Sequence, residues 1–114
     1  MIRAAAILIS ICVANAALAD EIADRRSVRS IAAEMAEVLR LHSAGRVSDV
    51  YTDEMKQNAR EQIKDIDANA GKKDPALHQA IADTLTALDG GDAATLRKIA
   101  ERLYAMAGPR EPAS

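Results

Sequence analysis

Apolar residues return every three or four positions through most of this chain, and that period constrains its fold more than any other feature. Val28, Ile31, Met35, Val38 and His42 alternate between the two spacings, which places them on one face of a helix, and Ala32 and Leu39 widen that face. The spacing predicts a first helix over about 21–42, supported by a Glu21 to Arg25 pair and ended at Gly45; Ser27 and Ser30 weaken its early turns.

A second helix is predicted from Ser48 or Thr52. Either hydroxyl can cap, and the acids Asp49 or Asp53-Glu54 that follow suit a helix N-terminus. Its apolar stripe, Tyr51, Met55, Ala59, Ile63, Ile66 and Ala70, keeps mostly to spacings of four and drifts around the helix, so this is the most solvated helix of the set. Asp74-Pro75 starts a third helix whose buried face is Leu77, Ile81, Leu85 and Leu88. Gly90-Gly91 ends it, and Asp92 caps a fourth that carries Leu96, Ile99, Leu103 and Met106 and stops at Gly108-Pro109. The third and fourth helices should form a tight antiparallel hairpin.

No segment alternates with period two or gathers the β-branched and aromatic residues that strands need. The expected class is therefore all-α, a small antiparallel helical bundle of three to four helices over residues 20–108, with a short disordered tail over 109–114. Before it, Arg3, an apolar run from Ala4 to Ala14 and the small-residue site Ala17-Leu18-Ala19 make the three parts of a secretory signal peptide. Cleavage after Ala19 leaves Asp20 as the first residue; Ala14-Asn15-Ala16 offers a second site three residues earlier. The run is shorter than the roughly 20 residues of a spanning helix, Asn15 interrupts it, and Cys12 lacks the neighbouring small residue of a lipid-attachment site. The expected location is periplasmic.

Loss of the signal removes Arg3 and no acid, which leaves 14 basic residues against 17 acidic ones, a formal charge of −3. Nucleic-acid binding calls for a positive, clustered face, and this composition argues against it. Cys12 leaves with the signal, so the remaining domain has no disulfide, metal thiolate or cysteine nucleophile. Phe and Trp are absent and only Tyr51 and Tyr104 are aromatic, so the core must be built from aliphatic side chains, Met and Ala.

Three motifs invite a chemical reading, and each is answered by a structural one. Asp65, Asp67 and Asn69 copy the first ligands of a calcium loop, but Ala70 replaces its glycine and Ala76 its closing glutamate, with Lys72-Lys73 at the rim. A polar helix end with a glycine stop explains the same residues. His42 and His78 lack a second ligand at i+4, no Cys-x-x-Cys-His is present, and Met35, Met55 and Met106 sit where methionine fills cores. No Gly-x-Ser-x-Gly or other local catalytic signature occurs. Arg25-Arg26 and Arg29 form a small basic group, and the acids beside them make it a solvated mixed-charge helix start.

These observations predict a small exported, non-enzymatic, cofactor-free helical protein that binds and modulates a protein partner, for instance the periplasmic part of a sensor kinase, transporter or envelope complex. No metal, nucleic acid or stable membrane insertion of the processed chain is expected. The expected contact is on the second helix at Tyr51, Met55, Arg60 and Ile63, since Tyr, Met and Arg favour interfaces; packing of Tyr51, Met55 and Ile63 against the core is the competing account. A periplasmic stress chaperone or holdase is a second reading, and a weak metal- or haem-binding bundle a third.

Overall fold

The computed structural model describes the backbone of residues 2–106 and the side chains of residues 21–106. All regular structure among the described residues is helical: α1 (Ile2–Ser43), α2 (Asp49–Ile66) running directly into a π turn (Asp67–Gly71), α3 (Pro75–Gly90) and α4 (Ala93–Met106). The expected 109–114 tail and the Gly108-Pro109 stop lie outside the described residues. Among those residues no helix is long and apolar enough to cross a membrane.

The helix boundaries follow from capping chemistry. At the end of α1, Gly45 adopts φ 71°, its N–H donates to the His42 carbonyl, and the Arg46 N–H donates to that of Leu41. The same pair of bonds closes α3: Gly91 at φ 66° donates to Leu88, and Asp92 to Ala87. A left-handed residue with those two bonds satisfies the carbonyls a helix leaves open, and glycine adopts that conformation without a Cβ penalty. Of the two hydroxyls suited to open α2, Ser48 is the cap, its Oγ accepting from the Tyr51 N–H at 3.1 Å. Thr52 is instead buried and donates to the Ser48 carbonyl. Asp74 caps α3 by accepting from the Leu77 N–H, with Pro75 next in the first turn, and Asp92 caps α4 through the Thr95 N–H.

One core joins the four helices. α1 lies along both α4 and α2, α3 packs on α4 and on the π turn, and the direct α2–α3 contact is small. Val28, Met35, Ile63, Leu77, Leu88 and Leu103 are among its fully buried side chains, and many of the gaps between them are filled by alanines such as Ala32, Ala36 and Ala80. The two-residue connection Gly91–Asp92 sets α3 and α4 side by side, with Arg102 donating to Asp83 at 2.9 Å.

The helix start read as a solvated mixed-charge segment is partly structural. Arg25 forms a two-pronged bond to Asp74, Nε to Oδ2 at 2.7 Å and Nη2 to Oδ1 at 2.9 Å, while Nη1 donates to the Met106 carbonyl at 2.9 Å. One guanidinium thus ties α1 to the cap of α3 and the last turn of α4. Glu21, placed by spacing as its partner, acts on it only through space. Asp74 is 4% exposed, and the Arg25 hydrogen bonds, followed by the Leu77 amide, hold its carboxyl below the usual carboxylate range.

Candidate functional site

α2 buries three of its eighteen residues, Thr52, Ala59 and Ile63, while the shorter α3 buries six. Because 3.6 residues make a turn, positions 52, 59 and 63 share the buried face, positions 51, 55, 58, 62 and 66 fall on one flank, and 56 and 60 on the other. The flank through Met55, Gln62 and Ile66 borders α1. Between the two helices runs a groove of about 620 Å³ lined by Arg26, Ser30, Ile31, Glu34, Gln62 and Ile66. It continues past Met55 and Asn58, over Met35 and Ala59. Ile31, Met55 and Ile66 are half-buried along it, and Val50 and Tyr51, 69% and 45% exposed, stand in the first turn of α2.

The four residues expected at a contact surface are therefore not gathered on one face. Tyr51 and Met55 share the flank beside α1. Ile63 is fully buried, a core residue. Arg60 lies on the opposite flank, where its guanidinium donates from Nε to Asp89 of α3 at 2.9 Å. At about 100° per residue, Met55 lies about 40° from Tyr51, but Arg60 is about 140° beyond Met55 and Ile63 about 120° from Tyr51, so the four cannot share one face.

Both histidines are paired with carboxylates. His42 Nε2 meets Asp49 at 2.5 Å, linking the end of α1 to the start of α2, and His78 Nδ1 meets Asp67 at 2.8 Å, linking α3 to the π turn. Neither carboxylate is four residues away in sequence, so helical spacing within one segment could not reveal the pairs. The Asp65-Asp67-Asn69 segment is held by its own structure: Asp67 goes to His78, and the Asn69 amide donates to the Asp65 carbonyl at 2.9 Å. Gly71 does not stop the helix through a left-handed conformation. It is buried inside the π turn, where an added Cβ would collide with the Asp67 carboxylate, so the position demands space, not backbone freedom. Among the described residues no group of three or more His, Cys, Asp and Glu could hold a metal ion, and no buried side-chain polar atom lacks a hydrogen-bond partner.

A second exposed aromatic lies on the other side of α1. Tyr104 is 42% exposed and carries the Arg29 guanidinium 5.3 Å from its ring centre, a cation–π arrangement between α4 and α1. Arg29 falls one flank away from the core positions of α1 and Tyr104 follows the buried Leu103, but seventy-five residues separate them, and only packing brings them together. No family model, curated protein or solved structure matches this chain.

Proposed function

We propose that this protein is a small, exported, non-enzymatic antiparallel helical bundle that binds and modulates another protein in the periplasm, after removal of residues 1–19 as a signal peptide. The contact face in this reading is the α1–α2 side, from Val50 and Tyr51 through Met55 to Ile31 and Ile66. One observation carries it: α2 spends few apolar residues on holding itself, yet keeps a line of half-buried and exposed apolar side chains along its flank. Helix recognition works through such a line of anchors, which needs neither a closed pocket nor a metal. Tyrosine and methionine at its upper end suit that role, because both present large apolar area and adapt to a partner's shape.

The reading is tested by expressing the full chain with its leader and placing a photocrosslinker at Tyr51. The expected result is an N-terminus at Asp20 by mass spectrometry and a covalent adduct with a protein of the same compartment. An intact leader on a cytosolic product refutes the location, and crosslinking no better at Tyr51 than at exposed Thr86 of α3 refutes the contact face.

A further inference from the structure

We infer that the protein docked on the α1–α2 groove is a second copy of this chain, packed about a two-fold axis that crosses the groove at Ser30 and Gln62; the inference rests on that groove being a contact face. Ser30 and Gln62 stand at the same level, both lining the open stretch between the helices. On the α1 rim, Arg26 and Glu34 also line the groove, four residues to either side of Ser30. A two-fold axis at Ser30 inverts the direction of the partner's α1, so each Arg26 comes opposite the partner's Glu34, and each Glu34 opposite the partner's Arg26.

The α2 rim does not repeat the pattern: Gln62 lies on the axis and Asp65 lines the groove beside it. The complement comes from the α1 rim, where opposite charges set symmetrically about the axis meet the requirement of an isologous contact. Ser27 and Ser30 let the two α1 helices approach, and Ile31, Met55 and Ile66 supply apolar surface to cover. Glu61 and Asp65 stand near the axis with Lys64 between them in sequence, a local excess of acid that keeps the association modest.

The test is sedimentation velocity of the full chain, expressed with its leader and purified as the host leaves it. A monomer–dimer equilibrium in the micromolar range is expected. Arg26→Glu and Glu34→Arg should each raise the dissociation constant about tenfold or more, since each reversal sets two like-charge pairs across the axis, and the double variant should restore association to within a few-fold. Melting temperatures of all three variants separate this from damage to the fold, because loss of folding cannot be repaired by exchanging the two charges. A chain that stays monomeric throughout that range, or a dimer indifferent to either reversal, overturns the inference. If the monomeric chain still crosslinks from Tyr51 to a different protein, the docking face stands and the second copy falls. A leader-bearing cytosolic chain that dimerises and responds to the charge exchange does the reverse, supporting the second copy while refuting export.

Discussion

α2 and the α3–α4 pair are built from helices of similar length by different means. α3 and α4 together bury ten side chains, six of them leucine or isoleucine, whereas α2 buries Thr52, Ala59 and Ile63 and has polar side-chain pairs at both ends and in its middle: His42–Asp49, Arg60–Asp89 and Asp67–His78. Apolar burial contributes roughly 25 cal/mol per Å², while an exposed ion pair contributes about 0.2–1 kcal/mol. The polar contacts of α2 therefore fix where it lies more than they hold it there. A helix fastened in this way is the element most easily given over to binding.

The largest effects should come from the core. Leu88→Ala removes a fully buried side chain and should cost about 2–5 kcal/mol, on the order of 10–30 °C in melting temperature. Ile63→Ala removes an equally buried side chain from α2, but its damage should stay local: hydrogen exchange should accelerate across residues 49–66 while α3 and α4 keep most of their protection. Equal loss of protection in all three helices would show one cooperative unit and break the contrast.

Next in size is the Arg25–Asp74 link. Asp74→Ala removes both the cap of α3 and the counter-charge of Arg25, and should cost about 2–4 kcal/mol at neutral pH. The sign of the pH dependence follows from Asp74 having a lower affinity for protons when folded than when unfolded. Its contribution is complete above the unfolded carboxylate value of about 4 and fades as pH falls through the lower folded value. Denaturant titrations should therefore show the difference between wild type and Asp74→Asn shrinking below about pH 4, with little change between pH 6 and 8. A gap that stays constant into acid would mean that the carboxylate charge is not what the site uses.

Gly71→Ala comes third. The new Cβ meets the Asp67 carboxylate, and either the side chain or the π turn must give way, at a cost of about 1–3 kcal/mol. Adding Asp67→Ala removes the obstacle, so by thermal melts the double variant should be less destabilised than the sum of the two single changes. Strict additivity would mean that the π turn, not the carboxylate, excludes a side chain at this position.

Helix positions and caps were open to reading because they depend on neighbours within a turn: Gly45, Ser48, Asp74-Pro75, Gly91 and Asp92 each act on backbone groups a few residues away. The buried faces of α1, α3 and α4 followed from period alone, since three-four spacing keeps residues in line. What stayed hidden depends on long-range packing or on a local departure from the α-helical period. Arg25 has an obvious neighbour in Glu21, yet its partner is forty-nine residues on; Gly71 looks like a stop and is in fact a clearance for Asp67. The candidate surface was legible only in half: nine residues put Tyr51 and Arg60 on opposite sides of α2 by period alone, but which side meets α1 and which meets α3 depends on packing.

The smallest effect concerns Arg60, and it is the most direct probe of how the two flanks of α2 differ. Its pair with Asp89 is mostly solvated, so Arg60→Ala should lower stability by about 0.2–1 kcal/mol, and Asp89→Ala by a similar amount, with no further loss in the double variant. Because Arg60 pairs with α3 and Tyr51 shares the flank of Met55, which lines the groove beside α1, Arg60→Ala should leave crosslinking from Tyr51 unchanged, while Met55→Asp should reduce it strongly. If Arg60→Ala abolishes capture with no change in melting temperature, the contact surface wraps the exposed side of α2 to reach the α3 flank, and the division between a flank that holds the fold and a flank that meets a partner disappears.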